Sequence, residues 1–257
     1  MHAPTERESL MKLKDQVAIV TGAGRNIGEE IAKLFSSEGA KIVVVDLDKG
    51  RADATTAAIK AKGGQAVSVV ADVSDEASVK AMIDAAVKSF GRVDIMISNV
   101  AISDNKHILD ITKEEWDKVL SVTLTAPFLC GKYAAKQVIA QKSGGKIVNV
   151  GSTSGFRGRP RAIAYTAAKG GVANLTRSMA VQLSPHGIRV NAVIPNKIGS
   201  PVGKDEFDPT RPVNNVAGRT GLPIDLARAV LFLVTEDSDF NYGDMLFVDG
   251  GASIMES

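Results

Sequence analysis

Apolar residues follow two alternating rhythms along this chain. Short runs such as Val17–Thr21, Lys41–Asp46 and Lys146–Val150 are nearly continuous in Val and Ile, as strands buried on both faces are. Longer segments between them carry apolar residues at three- and four-residue spacing, the period of a helix. The pattern predicts strands at Val17–Thr21, Lys41–Asp46, Ala66–Ala71, Val93–Ser98, Lys146–Val150, Arg189–Ile194 and Met245–Val248. It predicts helices from about Gly28 to Ser37, Gly50 to Lys62, Asp75 to Phe90, Thr112 to Gln141, Ala162 to Leu183 and Ile224 to Thr235. Strands alternating with helices imply a parallel α/β sheet covered on both faces. The expected organisation is a flexible tail over residues 1–12, then one domain over 13–257 with a polar loop at about 196–222.

Composition narrows the class. The 257 residues suffice for one large domain, and 44% hydrophobic with 23% charged residues is ordinary for a globular protein. A net charge of +2 gives no argument for a nucleic-acid or membrane-surface partner. Cys130 is the single cysteine, which excludes an intramolecular disulfide, and its apolar neighbours suggest a buried structural residue. With no apolar run of transmembrane length and no signal-peptide core near Met1, a cytoplasmic protein is expected. His107 and His186 read as surface residues, and no cluster of His, Cys and carboxylates has metal-ligand spacing.

The segment Ser152–Lys169 concentrates the candidate chemistry. Ser152 follows a predicted strand, where ligands bind in open α/β sheets. Tyr165 and Lys169 are four apart on a predicted helix and so share a face. A tyrosine titrates near pH ~10 on its own; a neighbouring ammonium favours its phenolate and draws it toward the working pH. Glycines between the first strand and helix, at Gly22 and Gly28, let backbone amides approach a pyrophosphate. Asp46 ends the second strand, where a carboxylate can accept hydrogen bonds from an adenosine ribose and repel a 2′-phosphate, favouring NAD.

Ser152 with Tyr165-x-x-x-Lys169, the loop Thr21-Gly-Ala-Gly-Arg-Asn-Ile-Gly28, the run Gly187-Ile-Arg-Val-Asn-Ala-Val-Ile-Pro195 and Val248-Asp-Gly-Gly251 together resemble the short-chain dehydrogenase/reductase family, over about Leu13 to Ile254. The resemblance implies a Rossmann-like, doubly wound sheet of about seven strands, a nicotinamide cofactor and a dimeric or tetrameric assembly. It implies Tyr165 as general acid/base, Ser152 as the residue positioning the substrate oxygen, and Lys169 as the residue tuning Tyr165 and holding the nicotinamide ribose. It also assigns Gly22, Arg25, Asn26, Ile27, Gly28, Asp46, Asp72, Val73, Asn99, Pro195 and Ile198 to the cofactor's surroundings.

Several positions depart from the family pattern. Asn26 replaces the middle glycine, although Asn tolerates left-handed backbone angles. Val100 and Ala101 follow Asn99 where Ala-Gly is usual, and Asn196 follows Pro195 in place of glycine. Thr123 stands where many members have an asparagine supporting a water-linked proton relay; its hydroxyl can bind water but lacks separate donor and acceptor arms. Arg25 argues for NADP against Asp46, and Asp46 carries more weight because its charge meets the extra phosphate directly. The expected activity is NAD(H)-dependent interconversion of a secondary alcohol and a ketone, on a small polar substrate. The alternatives are an NADPH-linked 3-oxoacyl-thioester reductase and a weakly active nucleotide-binding regulatory protein. Arg157, Arg159 and Arg161, between Ser152 and Tyr165, suggest an anionic substrate held by at least one of them.

Overall fold

Seven of the apolar runs become strands, and every pair of neighbours is parallel. The computed structural model describes residues 11–202, 204 and 206–255. The strands are β1 (Val17–Thr21), β2 (Lys41–Asp46), β3 (Ala66–Val70), β4 (Ile95–Ser98), β5 (Gly145–Val150), β6 (Ile188–Pro195) and β7 (Met245–Val248), in one sheet of order β3-β2-β1-β4-β5-β6-β7. The helices are α1 (Asn26–Ser37), α2 (Lys49–Ala61), α3 (Glu76–Phe90), α4 (Lys113–Leu120), α5 (Ala126–Gln141), α6 (Ile163–Leu183) and α7 (Pro223–Val234). Among the described residues no helix is long and apolar enough to cross a membrane.

The two-residue period of the strands sorts side chains onto two faces. Ala18, Val20, Ile42 and Val44 pack with Ile31 and Phe35 of α1, Ile59 of α2 and Val230 of α7. Val17, Ile19, Val43 and Val45 point the other way, against Met82 of α3, Leu129 of α5 and Met179 of α6. Burying each Val or Ile stabilises the fold by roughly 1.5–3 kcal/mol, so a one-residue slip would expose a whole face. Polar residues set helix starts: Asp48 and Asp75 cap α2 and α3, and Thr112 with Glu115 forms a reciprocal capping box at α4.

Three details differ from the expected pattern. β4 starts at Ile95 because the Val93 N–H is taken by the Gln141 side chain at 2.8 Å. The helix expected over 112–141 is α4 and α5 joined by a π-helical turn at Ser121–Thr125. The tail expected over 1–12 lies outside the described residues as far as residue 10, and Lys12 is docked, with its ammonium on Asp237 at 2.6 Å and its N–H on Glu38 at 3.2 Å.

Candidate active site

The strand order reverses between β1 and β4, and the crevice above their carboxyl ends is where such sheets bind ligands. A cavity of about 1150 Å³ lies there. The carboxyl ends of β2 and β6 bring Asp46 and Pro195 to its wall, and the loops after β1, β3, β4 and β5 bring Gly22, Asp72, Asn99 and Ser152. Arg25, Asn26, Ile27, Val73, Tyr165, Lys169 and Ile198 line it too. Gly28 does not line it and acts through close packing: a Cβ there would sit 2.1 Å from the Gly22 carbonyl oxygen. Gly22 has φ +61°, so the turn into α1 needs both glycines. Asn99 braces the same turn, donating from Nδ2 to the Thr21 carbonyl at 3.0 Å.

Asn26 takes φ +53°, the left-handed conformation expected of it. Its side chain also reaches across the cleft, donating to Ser200 Oγ at 2.6 Å, which ties the glycine loop to the start of the polar loop after β6. Asn196 likewise donates to Thr153 Oγ1 at 2.7 Å. Both substitutions thus supply polar struts that glycine would not. The glycine cradle, the N-terminus of α1 and the Asp46 carboxylate fit a dinucleotide. Asp46 accepts from the N–H of Gly24 at 3.0 Å and of Asp48 at 3.1 Å, leaving its oxygens further acceptor capacity toward a ribose. Arg25 and Arg51 line the same end of the cavity. Burial lowers the Arg25 pKa, the Arg51 charge adds to that, and Asp46 opposes it.

Ser152, Tyr165 and Lys169 meet at the centre, each buried. Ser152 has extended backbone and its Oγ accepts the Ser154 N–H at 3.1 Å. The first turn of α6 is held by Asp104, whose Oδ1 accepts the Tyr165 N–H at 3.1 Å, a carboxylate on a helix N-terminus. Lys169 Nζ donates to the Val150 carbonyl at 2.6 Å and stands 5.8 Å from the Tyr165 ring centroid. Burial governs the protons. It pushes the Tyr165 phenol above its ordinary value, against the Ser152 hydroxyl and then the Arg159 charge, which lower it. It brings Lys169 down to about 7. In this setting burial disfavours charge on both groups.

Thr123 and the three arginines differ in what they reach. Thr123 Oγ1 donates to the Ile102 carbonyl at 3.0 Å and accepts the Ile102 N–H at 3.1 Å, with the residue 0% exposed. Its hydroxyl ties the loop after β4 to the π-helical turn and does not face the cavity. Of the three arginines, Arg159 lines the cavity. Arg157 also lines it, but its guanidinium is held by the Ala252 carbonyl at 2.9 Å and by that of Ser253. Arg161 is exposed and outside the lining. The sequence pattern missed Asp104 and Arg51; Arg211, a basic residue of the polar loop, also lines the cavity. These lie in loops or at a helix start where no periodicity marks them. Cys130 is buried on α5 with its thiol pushed up to about 12, a packing residue.

Comparison with known proteins places the chain in a family. The family described as enoyl-(acyl carrier protein) reductase matches residues 22–253. A cis-4-hydroxycyclohexanecarboxylate dehydrogenase of Sinomonas cyclohexanicum is 40% identical over 243 residues, covering 92% of this chain and 96% of that protein. A galactitol 2-dehydrogenase of Agrobacterium fabrum is 34% identical over 255 residues, covering 94% and 98%. The crystal structure of a short-chain type dehydrogenase/reductase from Mycobacterium marinum superposes with TM-score 0.87 at 27% identity, covering 98% of this chain and 100% of the other. With relatives matching along nearly its whole length and a seven-stranded parallel sheet in common, the chain belongs to the short-chain dehydrogenase/reductase family and is an oxidoreductase.

Proposed function

We propose that this oxidoreductase interconverts a small polar secondary alcohol and its ketone, with NAD(H) as cofactor, Tyr165 as the proton-transfer group, and Ser152 and Lys169 beside it. The observation that carries this reading is the burial of these three side chains in the same cavity as the glycine turn and Asp46. The nicotinamide nucleotide supplies the hydride acceptor for oxidation and the donor for reduction. Gly22, Asn26, Ile27, Asp46, Asp72, Asn99, Pro195 and Ile198 are the residues we assign to holding it.

Ser152 already accepts a backbone N–H on Oγ, so its own proton is available for the substrate oxygen. That hydrogen bond sets the substrate oxygen beside the Tyr165 phenol. In the reduction direction the protonated phenol, favoured by burial, donates to the developing alkoxide. In oxidation the phenolate is needed, and a protonated Lys169 makes it accessible. A unit charge about 6 Å away at an effective dielectric of about 20 is worth roughly 2.8 kcal/mol, or about two pKa units. Tyr165 and Lys169 thus titrate as a pair, and whichever keeps its proton sets the other.

Asp46 supports NAD. Arg25 and Arg51 beside it favour the second reading, an NADP-linked reductase. The alcohol written into the names of the Sinomonas and Agrobacterium relatives supports a hydroxyl substrate for this chain as well. Exposed apolar side chains at Val181 on α6 and at Phe240 and Phe247 near β7 fit a second copy of the chain, so we read the enzyme as a homo-oligomer. Replacing Tyr165 with Phe tests the reading. We expect kcat to fall at least ~100-fold while the dissociation constant for NADH, followed by fluorescence, stays within about threefold. A variant that kept wild-type kcat would remove Tyr165 from the reaction.

A further inference from the structure

Tyr165 is the third residue of α6, in the turn whose N–H groups find no acceptor within their own helix. A side chain at the preceding cap position, Ala162, would ordinarily supply one, and alanine is among the poorest residues there. Ala162 also takes a left-handed backbone, φ +74°, which costs a non-glycine residue free energy. The missing acceptor comes from the loop after β4. Asp104 Oδ1 takes the Tyr165 N–H at 3.1 Å, the contact that a capping side chain makes to the third residue of a helix. Two residues on, the Lys106 carbonyl takes the Ala162 N–H at 2.8 Å. Ala162 is 0% exposed, and its carbonyl accepts the Thr166 N–H at 3.0 Å and the Thr166 hydroxyl at 2.7 Å.

The loop that supplies this cap is itself part of the cavity wall. Ile102, Ser103 and Asn105, on either side of Asp104, line it. Ala101 and Ile102 pack against the buried cluster of Val119, Ala162, Ala164 and Tyr165. Lys169 is anchored differently: it lies one turn further along α6, with its ammonium on the Val150 carbonyl of β5 at 2.6 Å. The two α6 side chains of the site therefore have separate anchors, one on β5 and one on the loop after β4. Helix ends fray when their first turn lacks partners. Fraying here would carry the phenol away from Ser152 and leave Lys169 where it is.

We propose that Asp104 is a positioning residue for Tyr165: by capping the first turn of α6 from the loop after β4, it fixes the phenol relative to the wall of the substrate cavity. This rests on the reading of Tyr165 as the proton-transfer group and adds the residue that sets its place. Asp104 acts as a hydrogen-bond acceptor, so a neutral amide of the same shape can replace it.

The test compares Asp104→Ala, Asp104→Asn and Asp75→Ala with the wild type. Asp104→Ala should lower kcat about ten- to hundredfold, the scale of a misplaced catalytic group, while the NADH dissociation constant stays within about twofold. Asp104→Asn keeps an acceptor for the Tyr165 N–H and should stay within about threefold of wild type. Asp75→Ala removes the carboxylate cap of α3 and should lower the melting temperature with kcat unchanged, which separates lost stability from a lost position. The pH dependence of alcohol oxidation gives a second readout. The Ser152 hydroxyl and then the Arg159 charge hold the phenol down, so a phenol displaced from them should titrate higher in Asp104→Ala and not in Asp104→Asn. Amide hydrogen exchange reads the cap without turnover: residues 163–166 should exchange faster in Asp104→Ala, and residues 169–183 as in wild type. Wild-type kcat in Asp104→Ala, equal impairment of Asp104→Asn and Asp104→Ala, or protection lost along all of α6 would overturn the proposal. Faster exchange confined to residues 163–166, in a chain that turns over no alcohol, would keep the cap and reject the dehydrogenase reading. Alcohol turnover undisturbed by Asp104→Ala would do the reverse.

Discussion

The proposed preference for NAD rests on the Asp46 carboxylate, and Asp46→Asn tests it. The carboxylate accepts the Gly24 N–H on one oxygen and the Asp48 N–H on the other, so an amide of the same shape removes the charge and keeps an acceptor for one of the two contacts. The 2′-phosphate of NADP carries about −2 at neutral pH. At roughly 6 Å from a unit negative charge, its repulsion is about 1.4 kcal/mol at a dielectric of about 80 and about 2.8 kcal/mol at about 40. Arg25 and Arg51, lining the same end, attract the phosphate in both proteins and cancel in the comparison. The wild type is therefore expected to favour NAD over NADP by at least about tenfold in kcat/KM, and Asp46→Asn to shift that ratio toward NADP by about ten- to hundredfold. The assay is steady-state kinetics with both nucleotides at one saturating substrate level, backed by NADH and NADPH fluorescence titrations. Repeating it at high salt should shrink the shift, because exposed charges are screened. A wild type that preferred NADP, or a variant whose ratio moved less than about threefold, would refute the reasoning.

Two other perturbations follow from the buried site. Lys169, lowered to about 7 by burial, is neutral in the folded chain over much of the range in which it is charged when unfolded. The unfolded chain then binds more protons between about pH 7 and pH 10, so stability rises with pH across that window. Melting temperatures of wild type minus Lys169→Met should increase from pH 7 to pH 9.5, and a flat difference would show that Lys169 keeps its charge. Thr123→Val strips the Ile102 N–H and carbonyl of their partner at a fully buried position, which should cost ~1–3 kcal/mol by denaturant unfolding. Unchanged stability with a selective loss of kcat would instead return Thr123 to a relay.

The strands and their faces were legible in the sequence because a doubly covered strand must be apolar at nearly every position. The limits of β1, β2 and β7 coincide with the expected ones. The seven-stranded parallel architecture was accessible because alternating apolar periods leave few other ways to bury both sheet faces. The glycine turn and the spacing of Tyr165 and Lys169 were readable for a related reason, since a tight turn and a shared helix face are local geometry. The proton balance was not local. How far Tyr165 and Lys169 move from their ordinary values depends on burial, and burial comes from packing between elements far apart in sequence, such as Lys169 of α6 on the Val150 carbonyl of β5. The same holds for the long-range struts: Asn26 to Ser200 spans 174 residues of sequence, and Asp104 caps a helix 61 residues away. Arg157, Arg159 and Arg161 look equivalent along the chain, yet one is tied to backbone carbonyls, one lines the cavity with its charge felt at the phenol, and one is exposed outside the lining. Only tertiary packing separates them, because an arginine's partners are chosen by whatever acceptors the fold brings within reach.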